Sequence, residues 1–347
     1  MRNDGSLDLS RWLWLPVVVL GCLLVVLLVV SLRPQTVSAP AVRQTVPDTT
    51  SKRPASAPSE DRGQSRSSQG ESRYSPPADS TGLTGLQDTL SRDLAQRPGR
   101  FAVAVYDFSS RAQATVNAHE VQHAASLIKL PIMMAVFAMI DSGTATLGQT
   151  VEIRSDYRSV ADGSTFHVEP IAALPAHPSL NRLLNAMITV SDNIAANALI
   201  EFVGIPRIER FLSDHGYLET HVRRFLMDEK ALARGIENTM SAYDAMLMLR
   251  DLELGRYFSA ESRAEMLRLL KAQTHNEKIP SVLPPGVTVA HKTGKITNVE
   301  HDAGIVYLPD GRKYVLALLS SRLPGNNAGV SAAQAVSRLV YRHFAGK

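Results

Sequence analysis

Cysteine is nearly absent from this sequence. Cys22 is the single cysteine in 347 residues, so no disulfide can form within the chain and the redox compartment stays undetermined. A strong excess of one charge is also lacking, because the formal net charge is +4 and the basic residues are spread out. No run of Lys, Arg and aromatic side chains marks a nucleic-acid surface, so we expect no nucleic-acid partner.

Charged residues are missing from Trp12 to Val30, which reads WLWLPVVVLGCLLVVLLVV. A helix of this length crosses roughly 30 Å of hydrocarbon, and the stretch has no polar face that would suit a globular core. We interpret residues 12–31 as a single-pass transmembrane anchor after a short tail over 1–11. A cleaved signal peptide and a lipidated Cys22 stay open, although no A-x-A-like site follows closely and eight further apolar residues follow the cysteine.

Aromatic and apolar side chains are scarce between residues 32 and 80. The stretch SKRPASAPSEDRGQSRSSQGESRYSPPADS is typical of this region, with Pro, Ser and Arg but no hydrophobic pattern. Such a segment cannot bury enough apolar surface to offset the entropy lost on ordering. We therefore predict a disordered linker over 32–80, followed by a globular domain over 81–347.

Within this domain, hydrophobic residues alternate near both ends and have helical spacing in the middle. The N-terminal part predicts a helix over 83–94 and strands over 101–108 and 114–118. The middle predicts helices over 127–140, 179–190, 194–203, 205–216, 241–253 and 259–273. The C-terminal part predicts strands over 287–294, 302–309 and 313–320 and a last helix over 328–344. Strands at both ends around an all-helical middle predict an α/β (α+β) sandwich whose antiparallel sheet is built from both ends of the domain.

Ser126 and Lys129 form an S-x-x-K motif at the start of a predicted helix. A separation of three residues places the hydroxyl and the amine on one face, where the amine can take the serine proton. The motif by itself is weak, since about one match is expected by chance in a chain of this composition. Alone, it fits a helix-starting serine beside a solvated lysine equally well.

Two later triplets carry polar groups with simple structural explanations of their own. SDN at 191–193 lies between two predicted helices, where these residue types commonly cap a helix N-terminus. KTG at 292–294 lies on a predicted strand, where the glycine suits an exposed edge with close backbone approach. Neither triplet identifies a function when it is taken alone.

The three motifs together are more specific, because they occur in the order S-x-x-K, SDN and KTG with separations of 65 and 101 residues. This ordered set resembles the signature of the penicillin-recognising serine hydrolases. FAVAVYDFSSRAQATVNAHEVQHAASLIKLPIMMAV is similar to the paired strands and nucleophile helix of class A β-lactamases. VAHKTGKITNVEHDAGIVYLPDG is similar to their KTG strand and the following hairpin. The resemblance covers about residues 85–346.

The resemblance implies catalytic roles for four residues. Ser126 would attack a carbonyl, with Lys129 as its proton acceptor or as the group that positions another base. Ser191 would relay a proton to the departing nitrogen. Asn193 would hydrogen-bond both Lys129 and the side-chain amide of the substrate.

The resemblance also implies a substrate-binding strand over Lys292, Thr293, Gly294 and Lys295. Lys292 and Thr293 would hold the substrate carboxylate. The N–H groups of Ser126 and Lys295 would form an oxyanion hole, in which each donor typically contributes a few kcal/mol.

The match to class A β-lactamases is incomplete in the loop after SDN. Those enzymes carry E-x-x-L-N there, and the Glu activates the water that hydrolyses the acyl-enzyme. Here Glu229 begins an E-x-x-L sequence, but Ala233 replaces the Asn and Lys230 replaces the usual Pro. Glu229 is our first candidate for the deacylating base, ahead of Asp228 and Glu237. A solvated acidic helix face is the alternative explanation.

An H-E-x-x-H sequence at 119–123 matches a zinc-protease motif, and we reject this reading. Zinc binding through this motif requires both histidines on one face of a helix. The match instead lies between the strand at 114–118 and the nucleophile helix. We therefore expect no metal and no cofactor.

The sequence predicts an acyl-serine hydrolase that acts on a small-molecule β-lactam or a related cell-wall peptide. A D,D-peptidase or other cell-wall peptide hydrolase of the same fold stays open, since E-x-x-L-N is not intact, as does a non-catalytic binding module. We expect a monomer held at the cell membrane by its N-terminal helix, with the catalytic domain outside the cytoplasm. The Lys and Arg count around the anchor does not favour either orientation, so this location depends on the predicted chemistry.

Overall fold

The computed structural model describes residues 83–153 and 177–346. The predicted tail, anchor and linker, which span residues 1–80, lie outside these ranges and stay predictions. Within the described ranges, no helix is both long enough and apolar enough to cross a membrane.

The described domain begins and ends with elements that pack together, and its middle is helical. The helices are α1 (Thr84–Ala95), α2 (Lys129–Asp141), α3 (Leu180–Thr189), α4 (Asn193–Val203), α5 (Ile205–Asp214), α6 (Glu229–Ala233), α7 (Ala242–Glu253), α8 (Ala260–Lys271) and α9 (Asn326–Ala345). The strands are β1 (Arg100–Asp107), β2 (Gln113–Val116), β3 (Gln122–His123), β4 (Thr239–Met240), β5 (Thr288–Ile296), β6 (Val299–Tyr307) and β7 (Lys313–Ser321). Short 3₁₀ turns cover Ala125–Ile128 and Pro280–Val282.

Five strands form one antiparallel sheet in the order β2-β1-β7-β6-β5. The N-terminal strand β1 pairs with the C-terminal strand β7 from Arg100 opposite Ser321 to Asp107 opposite Tyr314. The predicted sheet built from both ends of the domain is therefore confirmed. Strand β5, which carries the KTG triplet, lies at one edge of this sheet.

The two faces of the sheet pack against different helices, because side chains alternate along each strand. On β1, Phe101 and Val103 join a core formed with α1 and α9, whereas Ala102 and Ala104 face the helical middle. Strand β7 alternates in the same way. The described domain is a three-layer sandwich, and the larger apolar core lies between the sheet and helices α2 to α5, α7 and α8.

Helix α2 lies inside the helical layer. Its sequence KLPIMMAVFAMID is apolar on all sides, and ten of its thirteen residues are buried. A helix that is hydrophobic all round is stable only when other elements surround it. Because Lys129 begins this helix, its amine is carried into the interior and is fully buried.

The predicted elements agree with the structure at most positions. The main differences are that β6 begins at Val299 rather than near residue 302, and that a 3₁₀ turn precedes α2. The short elements β3, β4 and α6 were not predicted. Elements of two to five residues contain too few residues to show a hydrophobic period.

A glycine in α9 tests the packing of that helix against the sheet. A Cβ atom at Gly329 would lie 2.6 Å from both Glu300 Cβ and Leu323 Cδ1, whereas one at Gly85 in α1 would meet nothing within 4 Å. We expect Gly329→Ala to lower the free energy of unfolding by about 1–3 kcal/mol through overpacking. Gly85→Ala, the matched control, should raise it by up to about 1 kcal/mol through helix propensity. Equal effects of the two changes in urea-induced unfolding would contradict this packing.

Candidate active site

Ser126 lies in the 3₁₀ turn that leads into α2. In a 3₁₀ turn, side chains three residues apart eclipse one another, so Ser126 is aligned with Lys129. The residue before the serine, Ala125, has a φ of 46°, which a residue other than glycine seldom adopts. The nucleophile therefore follows a strained backbone position, a feature common at functional sites.

The buried amine of Lys129 is surrounded by acceptors from the SDN triplet. Its Nζ lies 3.1 Å from Ser191 Oγ and 2.6 Å from Asn193 Oδ1, and it also donates to the Ser191 carbonyl oxygen. A buried amine is tolerated only where hydrogen bonds replace those it made to water. The structure thus brings together Lys129, Ser191 and Asn193, as the sequence predicted.

The SDN triplet has both a structural and a site-forming part. Asp192 caps α4, because its Oδ1 accepts a hydrogen bond from the Ala195 N–H at 2.8 Å. Ser191 has a φ of 60°, which turns the chain so that its side chain and that of Asn193 face the lysine. The SDN triplet therefore both caps α4 and contributes side chains to the site.

Lys292 reaches the same serine from the sheet side. Its Nζ lies 2.9 Å from Ser191 Oγ and 2.9 Å from the Thr293 carbonyl oxygen. Complete burial, followed by the nearby positive charges of Lys129 and Lys278, holds the pKa of Lys292 well below its usual range. An entering carboxylate would reverse this effect by favouring the charged amine.

Gly294 lies where β5 passes close to the 3₁₀ turn that carries Ser126, and its missing side chain leaves room for this close approach. A Cβ atom there would lie 3.2 Å from Leu127 N and 3.3 Å from Ala124 O. Thr293 beside it is buried, whereas the Lys295 side chain is 67% exposed and lies 3.9 Å from Glu300. The KTG strand therefore lies against the Ser126 turn, with Lys295 at its solvent side.

The loop between residues 223 and 238, which contains α6, forms another wall of the site. Asn197 on α4 holds its backbone: the Leu226 N–H donates to Asn197 Oδ1 at 2.7 Å, and Asn197 Nδ2 donates to the Leu226 carbonyl oxygen at 3.2 Å. Leu226 is buried. The position held in this way carries an apolar side chain and not a carboxylate.

The three candidate bases differ in their surroundings. Asp228 caps α6 through a 2.9 Å hydrogen bond from the Ala231 N–H. Glu237 pairs with Arg224 and with His123. Glu229 is exposed at the start of α6 and is the one of the three that lines the cavity beside Ser126. The geometry does not assign a base, and Glu229 stays a prediction.

A cavity of about 310 Å³ opens in front of the nucleophile. Its polar lining residues are Ser126, Asn193, Lys295, His123, Arg224, Glu229, Asn238 and Thr297. Much of the remaining wall is apolar, and the large apolar side chains are Leu226, Met227, Leu232 and Ile296. Leu232 and Ile296 are 40% and 36% exposed, so apolar surface faces the opening.

The H-E-x-x-H segment is a turn followed by the short strand β3, and it contains no helix. His119 Nδ1 lies 2.9 Å from Glu219, whereas His123 Nε2 lies 2.8 Å from Glu237. The two histidines therefore point to different partners. Within the two described ranges, no cluster of His, Cys, Asp and Glu is arranged to hold a metal ion.

Among the residues of the site that the sequence did not predict, Asn197, Leu226 and His123 make the contacts that shape it. Asn197 could have been suspected, since it lies four residues after Asn193 and so on the same face of α4. Leu226 and His123 carry no local signal. Their place in the site depends on contacts with residues that are distant in sequence.

Comparison with known proteins identifies the family of this chain. The profile of Beta-lactamase2, the Beta-lactamase enzyme family, matches residues 85–344. The extended-spectrum beta-lactamase PER-1 of Pseudomonas aeruginosa is 26% identical over 254 residues, which cover 67% of this chain and 78% of PER-1.

Solved structures with the same fold include PBP-A and a beta-lactamase from Sphaerobacter thermophilus. PBP-A superposes with a TM-score of 0.70 and 29% identity over 76% of this chain and 97% of its own. A variant of PBP-A has been solved as an acyl-enzyme complex with penicillin G. The Sphaerobacter enzyme gives a TM-score of 0.66 and 26% identity over 76% of this chain and 97% of its own. The family profile matches most of the chain, and the S-x-x-K, SDN and KTG motifs meet at Ser191. This protein therefore belongs to the Beta-lactamase enzyme family and is a serine hydrolase.

Proposed function

We propose that the domain opens β-lactams by acylating Ser126 and releases the product slowly. The observation that carries this proposal is the meeting of all three motifs at Ser191, whose Oγ lies within 3.1 Å of Lys129 Nζ and 2.9 Å of Lys292 Nζ. Two amines on one hydroxyl form a path along which a proton can move between the nucleophile and the departing nitrogen. The acyl-enzyme complex of the related PBP-A variant supports the same first step.

The acylation step assigns each group one task. Ser126 Oγ bonds to the lactam carbonyl carbon, and its proton passes to Lys129 or to a base that Lys129 positions. The C–N bond then breaks, and Ser191 delivers a proton to the nitrogen. The N–H groups of Ser126 and Lys295 stabilise the charged oxygen of the intermediate. Asn193 holds the side-chain amide of the substrate, and the strand residues Lys292 and Thr293 hold its carboxylate.

A D,D-peptidase that acts on cell-wall peptides is the second candidate, and one observation favours it. Leu226 occupies the backbone position held by Asn197, so the cavity has no carboxylate fixed there to activate water. An enzyme adapted to remove β-lactams needs fast deacylation, whereas acyl transfer from a peptide does not need a base at this position. In both cases the predicted anchor and linker would place the domain outside the cytoplasmic membrane.

Replacement of Ser126 by Ala tests the nucleophile. The change removes one hydroxyl and little packing, so the protein should fold while covalent labelling by benzylpenicillin disappears. Intact-protein mass spectrometry gives the mass of the adduct, and circular dichroism checks the fold. Labelling that survives in Ser126→Ala would refute the proposed nucleophile.

Replacement of Lys292 by Ala tests carboxylate recognition. We expect acylation by benzylpenicillin to slow about 10- to 100-fold more than acylation by its methyl ester, because only the free acid offers a carboxylate to the ammonium. Lys292→Arg, the matched control, keeps the positive charge and should retain part of the preference. An equal loss with both substrates would show that Lys292 acts on the chemistry or on the fold.

The rate of β-lactam turnover tests whether the wall formed by residues 223–238 positions a base. General base catalysis contributes about 10²- to 10⁴-fold, so poor positioning of a base should cause a stoichiometric burst followed by a slow steady state. Glu229→Gln should slow the steady state further if Glu229 is the base.

Leu226→Glu should accelerate deacylation by about 10²-fold, because it places a carboxylate on the cavity wall.

Leu226→Gln is the matched control for Leu226→Glu, because it has nearly the same shape but no basic oxygen. Stopped-flow absorbance measures the burst, and mass spectrometry followed over time measures the acyl-enzyme. Rapid multiple turnover by the wild type without detectable acyl-enzyme would contradict slow deacylation.

A further inference from the structure

His123 lies three residues before the nucleophile and lines the same cavity. The Ala125 N–H donates to its Nδ1 at 2.9 Å, and its Nε2 lies 2.8 Å from Glu237 Oε2. An amide N–H can only donate, so Nδ1 must be the unprotonated ring nitrogen. The ring proton is therefore on Nε2, where it faces the Glu237 carboxylate.

The hydrogen bond between His123 and the Ala125 N–H constrains the residue with the least favourable backbone conformation in the 3₁₀ turn that carries Ser126. Ala125 has left-handed backbone geometry, with a φ of 46°, and is bonded directly to Ser126. Such a conformation persists only where the surroundings enforce it. The His123 ring supplies one constraint, and the neighbouring Ala124 N–H, which donates to the Asn238 carbonyl oxygen at 2.9 Å, supplies another.

The other side of the ring is connected to the loop at 223–238. Glu237 Oε1 accepts hydrogen bonds from Arg224 Nε at 3.0 Å and from Nη2 at 2.5 Å, and the Arg224 side chain is 5% exposed. Arg224 also donates to the Phe225 carbonyl oxygen at 2.9 Å. The imidazole thus connects the turn that carries the nucleophile to the loop that carries the apolar cavity wall.

The backbone of His123 is held by a second histidine. The Ser320 N–H donates to His301 Nδ1 at 3.0 Å, so His301 Nε2 carries the proton and donates to the His123 carbonyl oxygen at 2.8 Å. Burial lowers the pKa of His301 to about 4. His301 therefore stays neutral over the pH range in which an exposed histidine titrates.

We propose that His123 is a positioning residue whose neutral imidazole keeps the Ser126 turn and the 223–238 loop in the reactive arrangement. Protonation of Nδ1 replaces an acceptor by a donor, and so removes the hydrogen bond to the Ala125 amide. The result is slower acylation. This inference rests on the proposed acylation of Ser126.

The direction of the pH effect follows from the groups that face the ring. Burial lowers the pKa of His123 below its ordinary value, the Glu237 carboxylate raises it, and the positive charge of Arg224, whose Nη2 lies 3.5 Å from Nε2, lowers it. The third titratable group is His301, which stays neutral. Because the net direction is downward, the ring is neutral at pH 7. The acylation rate should fall as the pH drops through the lowered pKa.

Two substitutions separate the contacts made by the two ring nitrogens. In His123→Asn the side-chain oxygen takes the place of Nδ1, so the Ala125 amide keeps an acceptor that does not titrate. In His123→Gln the amide nitrogen takes the place of Nε2, so Glu237 keeps a donor but Ala125 loses its acceptor. Both variants carry a neutral amide, so each is the control for the other.

We would measure acylation of the full-length protein by benzylpenicillin in stopped-flow experiments between about pH 4.5 and pH 8, around the ordinary pKa of histidine. The wild type should lose rate on the acid side. His123→Asn should keep most of the neutral-pH rate and lose this acid limb. His123→Gln should acylate about 10-fold more slowly at pH 7, as expected for an unsatisfied buried amide, with little change in the affinity of the non-covalent complex. An unchanged acid limb in His123→Asn would overturn the proposal.

Nitrogen-15 NMR of the histidine rings provides a readout independent of activity. His123 Nδ1 should be unprotonated at pH 7. Its titration midpoint should equal the pH at which the acylation rate of the wild type falls to half. A protonated Nδ1 at pH 7 would overturn the proposal. A wild type that takes no label from benzylpenicillin would contradict the proposed function instead, and the titration would still show whether Nδ1 accepts the Ala125 amide.

Discussion

The burial of the Lys129 amine is the constraint on which the site depends. A polar group inside a protein is costly unless hydrogen bonds replace those it made to water, and here the partners come from Ser191 and Asn193. Those residues lie where the chain passes from α3 into α4. The connection must therefore keep the left-handed backbone of Ser191 in order to satisfy the lysine. The positions of Ser191 and Asn193 are thus tied to the need to satisfy a buried amine.

The sheet contributes the other half of the site through an edge strand. Strand β5 is paired on one side only, and its residues Lys295 and Ile296 line the cavity. Lys292 extends from this strand to Ser191, and Gly294 lets the strand approach the backbone of the nucleophile turn. The Lys129 amine of the helical layer and the Lys292 amine of the sheet therefore meet at the Ser191 hydroxyl.

Part of the loop at 223–238 is held through its backbone groups rather than through its side chains. Asn197 binds both polar backbone groups of Leu226, and Asn238 Oδ1 accepts from the backbone N–H groups of Arg223 and Arg224. An amide side chain can hold a backbone segment whatever side chain that segment carries. The Leu226 backbone can therefore keep its place whatever side chain it carries, whereas the Ser126 turn is connected to the same loop through His123 and Glu237.

The sequence alone determined the motifs, their order, and most helices and strands. These features depend on local spacing: three residues bring Ser126 and Lys129 to one face, and alternation along β1 directs side chains to two cores. The tertiary structure alone decided which side chains line the cavity and which contacts the H-E-x-x-H segment makes. Glu229 and Leu226 both line the cavity, but the backbone position that Asn197 holds is that of Leu226. His123 pairs with Glu237, which is 114 residues away in the sequence. Such contacts arise from the packing of distant segments, and a local sequence pattern carries no information about that packing.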